Sequence, residues 1–194
     1  MPEYRKEWLE KSKIDYFSPF VSLWLSCNSW YRSHYAELNA NDRVLINRIK
    51  SDFTPRNLLY WRFVNLIQAN QKKENMTKEN ISFRTNIELL HYSLEKLDLK
   101  SETGIICSFR YAVLDYNNKD NPTNLICKKN DTANAIRLDK LWVTNDIEIL
   151  FPGIFEIIYQ IRNMLVHGHL NPDLETHEVI RYCYLLLFDL MNGL

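Results

Sequence analysis

Residues 152–168 read PGIFEIIYQIRNMLVHG, and their apolar side chains recur at helical spacing. One stripe of such a helix, at about 3.6 residues per turn, carries Ile154, Ile158, Ile161 and Leu165. Proline is favoured in the first turn of a helix and glycine just beyond its last turn, so Pro152 is expected to begin this helix and Gly168 to end it. The stretch predicts the main core helix of a mainly α-helical protein.

Helical spacing recurs on both sides of this stretch. It predicts helices over residues 15–37, about 43–50, from Pro55 to about Asn70, from Thr85 or Asn86 through Leu97 until Gly104 ends the pattern, and from Asn171-Pro172 to near Gly193. Between residues 104 and 145 the period changes, because 105–111 and 124–127 look extended and a turn-rich stretch separates them. We expect a small β-hairpin or an irregular insertion there, inside one domain of residues 1–194.

Composition limits the classes of function. The chain has 194 residues, 46% of them hydrophobic, and a formal net charge of zero. It therefore lacks the global basic field that drives tight non-specific nucleic-acid binding, and any RNA contact must be local. The first residues lack the apolar segment of a secretion signal, and no apolar run reaches membrane-spanning length. These features predict a cytoplasmic protein with no membrane partner.

The cysteines do not form a metal or disulfide pattern. Cys27, Cys107, Cys127 and Cys183 are far apart, with neither a C-x-x-C pair nor histidines at zinc-finger spacing. We expect reduced, mostly buried thiols, no metal site and no cofactor.

Three polar residues interrupt the apolar stripe near the end of the 152–168 helix. Asn163 and His167 lie one turn apart on one face, and the long arm of Arg162 can reach towards them. A guanidinium suits phosphate, an imidazole can transfer protons, and an amide can hold either partner. By spacing alone, the favoured interpretation of these residues is a solvated helix end with a capping histidine.

The same segment resembles the signature helix of the HEPN superfamily, in which Arg, commonly followed by Asn, precedes a His after a short spacer. Residues 20–31, FVSLWLSCNSWY, are similar to the first long helix of one HEPN branch, where a Trp precedes an Asn-x-Trp-Tyr sequence. The similarity covers both ends of the chain and skips about residues 100–145.

The resemblance implies a four- or five-helix bundle that forms a homodimer through the motif helices. Active members are metal-independent endoribonucleases of bacterial defence, stress or toxin systems, so RNA, with transfer RNA as one candidate, and an antitoxin or regulatory partner are implied. His167 would act as general base on the ribose 2′-OH or as acid to the 5′ leaving oxygen, and Arg162, beside Asn163, would stabilise the phosphate. The products would be 2′,3′-cyclic phosphate and 5′-OH ends.

One departure from the pattern concerns the position where some HEPN toxins carry an AMP-accepting tyrosine. Here it is His169, so regulation by AMPylation is not expected; His169 is either a loop residue or a second proton-transfer group. Asn28 could line the cleft or tie two helices together. Two alternatives to the nuclease stay open: a catalytically silent HEPN module that binds a nucleotide, an RNA or a protein, and a structural helical adaptor.

Overall fold

The structure, a computed structural model, describes residues 15–67, 75–97, 99, 106–114, 121–129 and 133–194. Six α-helices make up most of this part of the chain: α1 (Phe17–His34), α2 (Asp42–Ser51), α3 (Leu58–Ile67), α4 (Lys78–Leu97), α5 (Ile147–Val166) and α6 (Leu174–Met191). Two short strands, β1 (Ala135–Arg137) and β2 (Trp142–Thr144), pair in antiparallel register. The prediction of a mainly α-helical fold with a small hairpin is confirmed, although the described residues contain six helices where the resemblance implies four or five.

Helix α6 lies at the centre of the bundle, between α1 and α4. It buries one apolar face that consists of Val179, Ile180, Cys183, Leu186, Leu187 and Leu190. Helix α3 packs on α4, and α2 packs on α5. The aromatic side chains of Phe63, Phe83 and Phe151 meet where α3, α4 and α5 converge, so the core is continuous through the bundle.

Two predicted helix starts are wrong because side-chain caps lie elsewhere. Helix α3 begins at Leu58 rather than Pro55, since Asn57 accepts a hydrogen bond of 3.2 Å from the Tyr60 N–H. Helix α4 begins at Lys78, where Thr77 Oγ1 accepts from the Asn80 N–H at 3.2 Å. Thr85 and Asn86 therefore lie inside α4, and the predicted end of the preceding helix, near Asn70, lies outside the described residues.

The last two helices also begin at caps that differ from the prediction. Helix α5 starts at Ile147 because Asp146 Oδ1 accepts from the Glu148 N–H at 3.0 Å, so Pro152 lies inside the helix. Helix α6 starts after Asp173, which accepts from the Thr176 N–H at 2.8 Å, and not at Asn171-Pro172.

The segment between α4 and α5 contributes to the core. In the hairpin, Ile136 pairs with Val143. Residues 124–127, which were predicted to be extended, lie beside β2, because Ile126 forms an isolated antiparallel bridge with Val143. The other predicted extended stretch instead contains a 3-10 turn at Phe109–Tyr111. The side chains of Phe109, Leu125 and Val143 are fully buried, so this part of the chain is integrated with the helices.

Two expectations from composition concern burial and membranes. All four cysteines are free thiols, and Cys27, Cys107 and Cys183 are buried, as predicted. Helix α5, however, is long and apolar enough to cross a membrane by length and composition, contrary to the expectation that no apolar run reaches that length. Most of that segment, 67%, is buried inside the fold, as in a core helix.

Candidate functional site

The C-terminal end of α5 is fixed by its glycine. Gly168 has φ +69°, and its N–H donates to the Leu165 carbonyl at 3.1 Å while the His169 N–H donates to the Met164 carbonyl at 2.8 Å. These two bonds form a Schellman motif, which satisfies the last carbonyls of the helix. The prediction that Gly168 ends the helix is confirmed, and His167 occupies the C-cap position.

Arg162 and Asn163 are in direct contact although they are neighbours in sequence. Arg162 Nη1 donates a hydrogen bond of 2.8 Å to Asn163 Oδ1. The guanidinium carbon also lies 5.5 Å from the ring centroid of Trp24 on α1, within the range of a cation–π contact. Two interactions therefore hold Arg162 in place, and its side chain stays partly exposed.

His167 and His169 are exposed just beyond Arg162 and Asn163. Their ring centroids are 6.0 Å apart, and the His167 N–H donates to the Asn163 carbonyl at 3.0 Å. Within the described part of the chain, no side-chain hydrogen bond joins either imidazole to Arg162 or Asn163. The fold thus places the predicted residues at one helix end, and among these four described residues only Arg162 and Asn163 share a side-chain hydrogen bond.

Asn28 connects two helices. Its Nδ2 donates to Asp42 Oδ2 at 3.4 Å, and its Oδ1 accepts from Arg32 Nε at 2.8 Å. Arg32 in turn forms an ion pair with Asp42 at the start of α2. These contacts tie α1 to α2, which is the structural alternative considered for Asn28.

A buried charge cluster lies beside this site, and sequence reasoning missed it. Glu156 on α5 is fully buried and accepts two hydrogen bonds from Arg43 Nη1, at 2.8 and 2.9 Å. Lys50 Nζ donates to the same carboxylate at 2.6 Å, and Gln160 Nε2 donates at 3.2 Å. Two cations therefore share the Glu156 carboxylate, within two helical turns of Arg162.

The cluster and the motif meet through two aromatic rings. The guanidinium carbon of Arg43 lies 4.3 Å from the Tyr159 centroid, and the Tyr159 ring lies 5.7 Å from that of Trp24. Because Arg162 lies over Trp24, the two arginines flank an aromatic pair that is almost fully buried. The pair supports the arginines from below and is too enclosed to stack on a nucleobase.

Tyr31 lies under the same region and is not a proton-transfer group. Burial raises its pKa well above the ordinary value, Asp42 and Cys27 add to the increase, and Arg32 and Arg162 oppose it. The phenol is therefore protonated at neutral pH. Among the described residues, Tyr31 Oη and Trp24 Nε1 have no hydrogen-bond partner.

Ion pairs surround the helix end. Arg32 pairs with Asp42, and Arg43 and Lys50 pair with Glu156. No group of three or more His, Cys, Asp or Glu that could hold a metal ion occurs in the residues that the structure covers. Comparison with known protein families, with curated proteins and with solved structures finds no match to this chain.

Proposed function

We propose that this protein is a HEPN-type, metal-independent endoribonuclease whose active groups are Arg162, Asn163 and His167. The observation that carries the proposal is the location of an Arg-Asn-x-x-x-His sequence at an exposed, glycine-terminated helix end, where Asn163 and Trp24 hold the Arg162 guanidinium. This guanidinium can attract a phosphodiester locally, which the zero net charge of the chain cannot do.

In the proposed reaction the ribose 2′-OH attacks the adjacent phosphorus and the bond from phosphorus to the 5′ oxygen breaks. His167 takes the proton from the 2′-OH or gives one to the departing 5′ oxygen. Arg162 stabilises the charge on the pentacoordinate phosphate, for which its planar fork is suited. Asn163 holds the guanidinium, because its Oδ1 accepts from Arg162 Nη1.

A homodimer through the motif face belongs to this proposal. One copy of the motif offers Arg162 and His167 once each, and a two-fold pair would double both in one cleft. Apolar side chains are exposed beside the motif: Val166 is 52% exposed one turn after Arg162, and Leu25, next to Trp24, is 60% exposed. Light scattering at micromolar concentration should show a dimer that Val166→Glu dissociates, and a strict wild-type monomer would count against this arrangement.

The test of the nuclease is the chemistry of its product ends. Purified protein is incubated with total RNA and with transfer RNA in excess EDTA, and the new ends are mapped. We expect cleavage that survives EDTA and leaves 2′,3′-cyclic phosphate and 5′-OH termini. Products with 5′-phosphate ends, or cleavage that needs added metal, would contradict the mechanism.

A catalytically silent binding module is the second candidate. It is favoured by the state of Arg162, which is already held by Asn163 and Trp24, while among the described residues the His167 side chain forms no hydrogen bond with either. In that case wild type and His167→Ala are equally inert on every RNA, and both bind the same ligand with an affinity that depends on Arg162.

A further inference from the structure

A concave site lies between α4 and the β1–β2 hairpin. It is a groove of about 840 Å³, a volume within the range of small-molecule sites. Its walls include the apolar or aromatic side chains of Ile81, Leu89, Tyr92 and Trp142. Arg84 and Glu88, one helical turn apart on α4, also line it.

Glu88 is a buried carboxylate without a cation. It is only 6% exposed, and both of its oxygens share one donor, the Lys140 N–H, at 3.2 and 3.3 Å. In the part of the chain that the structure describes, no lysine, arginine or histidine side chain forms an ion pair with it. Glu156, which is also buried, has two cations and an amide. Glu88 therefore retains acceptor capacity that burial makes unfavourable to leave unused.

Arg84 is a buried cation that lines the same groove as the Glu88 carboxylate. It is 8% exposed and donates to two backbone carbonyls, those of Ile67 at 3.0 Å and of Arg137. Side chains four apart on a helix normally pair when their charges are opposite, yet no ion pair joins Arg84 to Glu88, both of which the structure describes. Each instead holds the hairpin to α4 and keeps part of its hydrogen-bonding capacity, because a guanidinium has five N–H donors.

The remaining charges of the groove lie at its rim. Arg137, Asp139 and Lys140 are exposed, where solvent screens their effect on a bound group. The enclosed part therefore presents one cation, one anion and apolar walls.

We infer that this groove binds a small zwitterion, an α-amino acid with a large apolar side chain, whose carboxylate meets Arg84 and whose ammonium group meets Glu88. Such a ligand supplies a counter-charge to both buried groups at once, and its side chain lies on Tyr92 and Trp142. A simple amine or a simple acid supplies only one of the two. This site is independent of the proposed nuclease centre.

The first test compares ligands on the wild-type protein by calorimetry and by tryptophan fluorescence, since Trp142 lines the groove. L-phenylalanine is compared with 2-phenylethylamine, which lacks the carboxylate, and with 3-phenylpropionate, which lacks the ammonium group. We expect L-phenylalanine to bind at least about tenfold more tightly than either analogue, because each analogue leaves one buried charge unpaired. L-leucine and L-tryptophan are tested in parallel.

The second test uses Glu88→Gln, which keeps the side-chain shape and an acceptor for the Lys140 N–H. It should weaken L-phenylalanine binding about tenfold or more and leave 3-phenylpropionate nearly unchanged. Glu95→Gln, an exposed position on the same helix, is the matched control and should bind as wild type.

Equal affinities of wild type for L-phenylalanine and 2-phenylethylamine would overturn the inference. So would the absence of saturable binding of all three amino acids up to about 10 mM, or equal behaviour of Glu88→Gln and Glu95→Gln. If Glu88→Gln fails to fold, the comparison of ligands on wild type decides alone.

Discussion

Arg162 Nη1 lies 2.8 Å from Asn163 Oδ1, so two consecutive residues of α5 share a hydrogen bond across the helix surface. Consecutive helical side chains point about 100° apart, and the bond therefore directs the guanidinium sideways along the helix. Trp24 fixes the other face of the guanidinium. The arginine is thus oriented before any ligand arrives, which favours a phosphate-binding role.

The first prediction concerns this arginine. Arg162→Ala should weaken RNA binding about 10- to 100-fold, because it removes a charge-assisted phosphate contact, and it should reduce cleavage further. Arg162→Lys should restore binding better than turnover, since a point charge replaces a fork. Both are measured at one salt concentration. Arg181→Ala is the control and should leave RNA binding unchanged. It removes an exposed arginine of α6 whose guanidinium lies over the rings of Tyr16 and Tyr182.

A second prediction concerns the buried cluster beside the motif. Glu156→Gln removes the carboxylate that Arg43 and Lys50 share, and Lys50 has a side chain only 2% exposed. Removing one partner of a buried ion pair should lower the free energy of unfolding by about 3–5 kcal/mol, measured by urea denaturation. Glu178→Gln, which removes an exposed ion pair with Lys96, should change it by no more than about 0.5 kcal/mol. Equal losses in the two variants would show that the cluster does not stabilise the fold.

A third prediction tests whether the segment before α5 packs on that helix. A Cβ added at Gly153 would lie 2.7 Å from Leu125 Cδ1 and 2.9 Å from Cδ2. Gly153→Ala should therefore destabilise the protein by about 1–3 kcal/mol, although alanine favours helix more than glycine does.

The double variant Gly153→Ala, Leu125→Ala supplies the control for that overlap. Removing the Leu125 side chain leaves space for the new methyl group. The double variant should therefore lose less free energy of unfolding than the two single variants lose together, with a coupling of about 0.5–3 kcal/mol. Gly153→Ala combined with Leu190→Ala, which removes a buried side chain on α6, should be additive. Full additivity in both pairs would argue against the contact.

The positions of the helices could largely be predicted from the sequence, and their starts could not. Periodic apolar residues locate the six described helices. Gly168 follows the end of α5 in a left-handed conformation that favours glycine. The start of each helix depends on which polar side chain accepts a hydrogen bond from a backbone N–H group of the first turn. The role of Asn57 as the cap of α3 could not be predicted. Its amide also donates to the carbonyls of Ile49 and Asp52 at 2.8 Å, and no local sequence pattern reveals these contacts.

Part of the candidate site could also be predicted from the sequence, and part depends on the fold. Arg162, Asn163 and His167 could be named because they are close in sequence. The pairing of Arg43 with Glu156 joins residues 113 positions apart, and only the fold brings them together. One signal was present: Glu156 stands in the apolar run FPGIFEIIY, where a buried acid requires a cation, although the sequence does not say which.

A fourth prediction concerns pH and Asp189 on α6. Burial raises the pKa of this carboxyl to about 6, the charge of Glu79 adds to the increase, and Arg62 opposes it. A raised carboxyl pKa means that the folded state binds the proton more tightly than the unfolded chain does. The stabilisation is therefore fully present below about pH 4 and is lost as the pH rises through about 6.

Asp189→Asn should accordingly become more stable relative to wild type as the pH rises from about 4 to 8. Urea midpoints across this range measure the difference, with Glu178→Gln as the control on the same helix. A stability difference for Asp189→Asn that is constant over the range would show that the carboxyl is not perturbed.

The most direct test of the account is the effect of His167→Ala on RNA cleavage in EDTA, with His169→Ala as the matched control. His167→Ala should lower the cleavage rate on the order of 10²–10⁴-fold and leave RNA affinity nearly unchanged, because a proton-transfer group makes few ground-state contacts. His169→Ala should cleave at nearly the wild-type rate. Cleavage by His167→Ala at the wild-type rate, or no cleavage of any RNA by the wild-type protein, would contradict the central claim.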